Sequence, residues 1–116
     1  MNPFTFSKSE RLLNRKDFVN LNRLGKRRHA PHFTVIFKES GLGTTRLGIT
    51  ATKEVGNSAQ RNRIKRLIRE FYRLNKAHFP QGYDIVITAK KGAHGLNLWK
   101  TKEELGEIIL DKELHI

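Results

Sequence analysis

The chain of 116 residues has no cysteine. That excludes disulfides, thiol nucleophiles, cysteine zinc sites and iron–sulfur clusters together, and it fits a reducing compartment. Long apolar runs are missing too. Nothing approaches the ~20 consecutive apolar residues of a spanning helix, and the opening segment carries scattered charges where a signal peptide has an apolar core. Neither export nor a membrane partner is expected, and the expected location is cytoplasmic. Proline occurs three times. Without Pro- or Ser-rich linkers, internal repeats or low-complexity tracts, nothing marks a domain boundary, and residues 1–116 read as a single domain.

Negative charge is the other shortage: 11 Asp and Glu stand against 23 Lys and Arg, a formal net charge of +12. Compacting so many like charges costs self-repulsion that an anionic partner relieves, and nucleic acid is the obvious one. Residues 1–100 hold 21 basic and 6 acidic side chains, whereas residues 101–116 hold 2 and 5, so the acidic end is expected to face away from the partner. With 37% hydrophobic residues the chain can still bury one modest core.

The apolar pattern predicts the order helix, two strands, helix, strand, helix. A first helix spans Arg15 to Leu24, with Asn14 as cap, Asp17 in its first turn, Phe18 and Leu21 on one face and Gly25 at its end. Phe33, Val35 and Phe37 alternate with Thr34, Ile36 and Lys38. A second alternating run follows from Thr45 to Thr52, and Gly41 and Gly43 between the two suggest a hairpin. In the second strand Leu47, Ile49 and Ala51 face the core, while Arg46, Gly48, Thr50 and Thr52 form a small, wettable face. A long helix runs from Asn57 or Ser58 to about Ala77. Asp84 to Ala89 is apolar in its middle and reads as an inner strand. The last helix is expected to carry a capping box on Thr101 and Glu104 and to bury Leu105, Ile108 and Ile109, with Trp99 near its start.

The long helix is the most informative segment. Residues 61–73 contain six basic residues and one acidic. At about 100° per residue, Ile64, Leu67, Ile68, Phe71 and Leu74 fall in one arc and Arg61, Lys65, Arg66, Arg69, Arg73 and Lys76 in another, with Asn62 inside the basic arc and Arg63 and Glu70 off it. One face packs and the other binds. A solvated, salt-bridged helix would need several acids at three or four positions' spacing, and only Glu70 is available. Arginine predominates over lysine, which suits bidentate contacts to phosphate, and the amide of Asn62 suits a hydroxyl or base edge. The Gly56-Asn57-Ser58 turn adds free N–H groups at the positive end of the helix.

The run Lys53-Glu54-Val55-Gly56-Asn57-Ser58-Ala59-Gln60-Arg61-Asn62-Arg63-Ile64-Lys65-Arg66-Leu67-Ile68-Arg69-Glu70 resembles the signature of the bacterial ribonuclease P protein subunit family. The similarity extends over Arg11-Leu12 to Asp17-Phe18, the Gly25-Lys26 turn, the Phe33 strand and Arg46-Leu47-Gly48, and weakens after Lys91. The resemblance implies an α+β sandwich of a small mixed sheet with helices on one side, like that of some ribosomal proteins. It also implies a left-handed βαβ crossover through the signature helix and one strand more than the pattern locates. In function it implies an accessory subunit of an endoribonuclease: it would bind the catalytic RNA and precursor tRNA and assist removal of the 5′ leader, while magnesium ions on the RNA do the chemistry. RNA contacts would then fall on Lys53, Asn57, Arg61, Asn62, Arg63, Lys65, Arg66, Arg69 and Arg73. A leader-binding cleft would fall on Phe18, Thr34, Ile36, Arg46, Gly48, Thr50 and Thr52, where stacking of unpaired bases is worth ~1–3 kcal/mol each. Three residues depart from the family pattern: Glu54 stands where many relatives have a second lysine, and Asn22 and Ile36 stand where aromatics are common.

No catalytic set, no metal site and no cofactor is expected on the protein itself. The five histidines, His29, His32, His78, His94 and His115, are scattered, and Glu103, Glu104, Glu107 and Asp111 read as a solvated helix face. The competing class is a structural ribosomal protein or general RNA chaperone. A sequence-specific DNA-binding protein, with the basic helix in a major groove, is a third possibility, but no DNA partner is expected.

Overall fold

The structure is a computed structural model that describes residues 6–12 and 14–110; Asp111 and His115 lie outside them. A first helix, α1 (Arg15–Leu24), is followed by strands β1 (Lys26–His29), β2 (Phe33–Glu39) and β3 (Arg46–Ala51). The long helix α2 (Ser58–Asn75), strand β4 (Tyr83–Ala89) and helix α3 (Leu98–Ile109) complete the order. Asn14 caps α1 by accepting from the Lys16 N–H at 2.9 Å, and the Gly25 N–H closes it on the Leu21 carbonyl at 2.8 Å.

The sheet order is β1-β2-β4-β3. The expected hairpin between β2 and β3 does not form. β4, which arrives only after α2, inserts between them, antiparallel to β2 and parallel to β3. Its continuous apolar middle supplies the reason, since an inner strand buries both faces. The additional strand implied by the family resemblance is β1, Lys-Arg-Arg-His, which forms the antiparallel hairpin with β2. As an exposed edge strand it needs no apolar residue, so alternation could not reveal it.

One sheet face meets α2 and α3. There Phe33, Val35 and Phe37 of β2, Ile85 and Ile87 of β4 and Leu47 of β3 pack on Ile64, Ile68 and Phe71 of α2 and on Leu105 and Ile109 of α3. The other face is not bare: Leu12, Leu21 and Phe18 cover Ile36 and Val86, so helices lie on both faces. The buried arc of α2 is rotated from the expected one. Leu74 is half exposed, while Tyr72 and Asn75 are buried in its place. Phe6 causes the shift by meeting Tyr72 edge-on at 5.2 Å, together with Glu10, which accepts a hydrogen bond from the Tyr72 hydroxyl. In α3 the cap is Asn97, accepting from the Lys100 N–H at 2.8 Å, rather than the expected Thr101–Glu104 box. Thr101 is buried and donates to the Asn97 carbonyl at 2.9 Å, and Glu104 turns to His32, accepting from its N–H at 2.9 Å and pairing with Nδ1 at 2.5 Å.

Glu10 pins the N-terminal segment to α2. Its residue is only 8% exposed. Burial alone raises a carboxyl pKa, but here Lys76 at 2.6 Å, the Tyr72 hydroxyl and both the N–H and hydroxyl of Ser7 outweigh burial and hold it at about 2. The ionised form is therefore favoured on folding. The stabilisation, up to about 3 kcal/mol, is complete above the ordinary carboxyl value and is lost as pH falls from about 5 through 2. Glu10→Gln is expected to unfold more easily than the native chain at pH 7, with the difference in urea midpoint vanishing near pH 2. A difference independent of pH contradicts the assignment.

Candidate nucleic-acid interface

The site begins at the start of α2. Asn57 accepts from the Gln60 N–H at 2.9 Å, and the Gln60 side chain accepts from the Asn57 N–H at 2.9 Å, a reciprocal box that fixes the first turn. Gly56 makes the box possible. Its φ is +142°, and a Cβ there would lie 1.9 Å from the Gln60 Oε1. Asn57 thus acts first as a cap and is itself exposed. Lys53 is exposed in the 3₁₀ turn Lys53–Val55 that leads into it.

From that turn the basic arc runs along α2 as its periodicity predicts. Among the described residues no carboxylate pairs with Arg61, Lys65, Arg66 or Arg69, and Asn62 is exposed among them. Arg61 reaches only the hydroxyl of Ser58, at 3.4 Å. The far end of the arc is different. Arg73 pairs with Glu70 at 2.6 Å, and Lys76 is held by Glu10 and lies over the Tyr72 ring at 5.8 Å. Arg63, off the arc, donates through Nη1 to the carbonyls of His94 at 2.6 Å and Leu96 at 2.9 Å, tying α2 to the segment before α3. The unneutralised row is therefore the N-terminal two-thirds of the helix.

The cleft residues other than Thr50 divide into three groups. Thr34, Ile36 and Thr52, with Asn22, Arg27, Glu54, Thr88, Lys90 and Lys91, line a groove of about 490 Å³ on the α1 side of the sheet, Glu54 being its one acid. Ile36 is only 4% exposed, so it forms floor rather than wall. The Thr52 hydroxyl is buried without a hydrogen-bond partner among the described residues, and the Thr50 and Thr88 hydroxyls meet at 2.8 Å across the β3–β4 pair. Phe18 and Gly48 border a second groove of about 430 Å³, in which Lys65 and Arg69 of α2 form the other wall. This joins the two predicted residue sets at the edge strand β3. Arg46 belongs to neither groove. Its guanidinium is clamped by Asp84 at 2.8 and 2.7 Å and by Asp17 at 3.2 Å, which raises its pKa, chiefly through the Asp84 hydrogen bond. It fastens α1 to the sheet.

Arg27, Lys90 and Lys91 were absent from the sequence-derived site. Arg27 belongs to the strand that alternation missed; Lys90 and Lys91 directly follow β4, at the end where Thr52 also stands. Their position past an inner strand is the signal that finds them.

A mixed sheet crossed by a long helix, with a row of cations that no described carboxylate pairs, beside polar grooves, defines a small polyanion-binding protein of the α+β class. Residues 6–112 match the family described as Ribonuclease P. The ribonuclease P protein component of Syntrophus aciditrophicus (strain SB) is 45% identical over 113 residues, which covers 97% of this chain and 94% of that protein. The Thermotoga maritima component is 35% identical over 105 residues, covering 87% and 90%. In three dimensions the Thermotoga maritima RNase P protein matches with a TM-score of 0.80 at 33% identity, covering 87% of this chain and 96% of that one. The Staphylococcus aureus RNase P protein matches with a TM-score of 0.77 at 29% identity, covering 86% and 92%. The chain belongs to the ribonuclease P protein family.

Proposed function

We propose that this chain is the protein subunit of a ribonuclease P ribonucleoprotein, which joins the catalytic RNA and assists cleavage of the 5′ leader from precursor tRNA. The observation that carries this reading is the row Arg61, Lys65, Arg66 and Arg69 along α2, none of them buried and none paired with a carboxylate among the described residues. Such a row attracts phosphate by charge and by the planar fork of arginine. The polar groove on the α1 side takes the single-stranded leader, with Phe18 in the neighbouring groove beside Lys65 and Arg69. Magnesium belongs to the RNA in this scheme; the protein contributes no catalytic residue and holds no metal or cofactor. No described helix is long and apolar enough to cross a membrane, and the proposed place of work is the cytoplasm. A structural ribosomal protein or a general chaperone would share the charge but not the family.

The test adds purified protein to the ribonuclease P RNA at low magnesium and follows precursor cleavage. Cleavage is expected to rise steeply with protein and to be absent without RNA. Protein that cuts precursor alone, or that leaves the RNA's rate unchanged, overturns the reading.

A further inference from the structure

The groove of about 430 Å³ that Lys65 and Arg69 share with Phe18 has a third cation in its lining, Arg11, which comes from the other end of the chain. Its backbone is fixed. Residue 11 bridges in parallel to Leu47, and the Leu12 N–H donates to the Leu47 carbonyl at 3.0 Å, so the segment runs along the free edge of β3. The preceding residue, Glu10, anchors the same segment on Tyr72 and Lys76. The side chain is held as well: Nε and Nη2 of Arg11 donate to the Phe6 carbonyl at 3.2 and 3.0 Å, and the guanidinium lies over the Phe6 ring at 5.0 Å. Fastening Phe6 occupies one edge of the guanidinium. The N–H groups on Nη1 have no partner among the described residues.

Charge in this groove is of one sign. No acidic residue lines it, and no described carboxylate pairs with Arg11, Lys65 or Arg69. The carboxylates nearest in sequence are committed to other cations: Glu10 to Lys76, Asp17 to Arg46 and Glu70 to Arg73. Lys65 and Arg69 stand one helical turn apart on α2, and the N-terminal segment adds Arg11 to them across the groove. Gathering like charges around one space costs self-repulsion, which an anion placed there relieves.

We propose that Arg11 is a further RNA-binding residue, which with Lys65 and Arg69 holds a phosphodiester of the catalytic RNA in this groove. This rests on the ribonucleoprotein reading and extends the interface from α2 to the N-terminal segment. Continuity selects the catalytic RNA as the source of the phosphate, because Lys65 and Arg69 belong to the row that carries that reading. A planar guanidinium already fixed along one edge presents the other to phosphate with little ordering left to be done.

The test follows binding of the full-length protein to ribonuclease P RNA by filter retention over a range of salt concentrations. In parallel, the reactivity of each arginine toward phenylglyoxal is read by mass spectrometry, first free, then with the RNA, then with precursor tRNA added. Arg11 is expected to react in the free protein and to be protected by the catalytic RNA alone. Arg11→Gln is expected to weaken retention about 5-fold at 0.15 M monovalent salt and to take about 0.7–0.9 from the slope of log affinity against log salt, whereas Arg11→Lys keeps the charge and most of the slope. An arginine that only fastened Phe6 would leave the slope unchanged. Retention of the native protein with Arg11 still reactive, or protected only once precursor tRNA is present, overturns the inference and leaves the ribonucleoprotein reading standing. An unchanged slope for Arg11→Gln does the same. The protection measurement uses the native chain, so it decides even if the variant fails to fold. No retention of the native protein removes both.

Discussion

Replacing Arg61, Lys65, Arg66 and Arg69 together by alanine is expected to weaken binding to ribonuclease P RNA on the order of 10³-fold at 0.15 M monovalent salt. The estimate follows from counterion release: each lost phosphate contact removes about 0.7–0.9 from the slope of log affinity against log salt. Four contacts take about 3 from the slope. Because no carboxylate among the described residues pairs with these four side chains, little of their charge is screened there. Fold stability should change little, since none of the four is buried. Arg46→Ala provides the contrast. Its guanidinium holds Asp84 and Asp17, so its removal should destabilise the fold by about 2 kcal/mol and leave the salt slope alone. Equal slopes for the native and quadruple-alanine proteins would remove α2 from the interface.

That contrast marks where sequence reasoning stops. The cationic arc was legible because both its periodicity and its shortage of acids lie within one helix. Which cations stay available is a tertiary matter: Arg46 meets Asp84 across neighbouring strands, Lys76 meets Glu10 from the other end of the chain, and Arg63 meets backbone carbonyls beyond β4. None of these partners has a spacing that local pattern can read. The fold divides the same way. The capped, periodic α1 and the apolar β4 were legible, whereas β1 lacked apolar residues to alternate. The supposed β2–β3 hairpin failed because local glycines cannot reveal a strand that inserts from 30 residues or more downstream. Thr101 and Glu104 misled in α3 because Thr-x-x-Glu spacing fits a helix interior as well as a cap, and the real cap, Asn97, stands before it.

Gly48→Ala is expected to destabilise the protein by about 1–3 kcal/mol, the usual cost of overpacking. A Cβ at this position would lie 2.7 and 2.9 Å from the Phe18 ring and 3.3 Å from Val86 Cγ2. The sheet is bare at this point so that the ring of α1 can lie against the β3 backbone, beside the wall formed by Lys65 and Arg69. If that close approach is the reason for the glycine, the cost of Gly48→Ala should largely disappear in a Phe18→Ala background. Urea denaturation of the four proteins of the cycle should then give a coupling of about 1–2 kcal/mol. Additive costs would mean that the glycine serves the strand rather than the ring. The same cycle separates packing from leader binding. If Phe18 offers its exposed edge to an unpaired base, displacing it by Gly48→Ala should weaken binding of precursor tRNA to the holoenzyme about 5-fold or more while leaving mature tRNA unaffected. Equal weakening of both would confine Phe18 to holding α1 on the sheet.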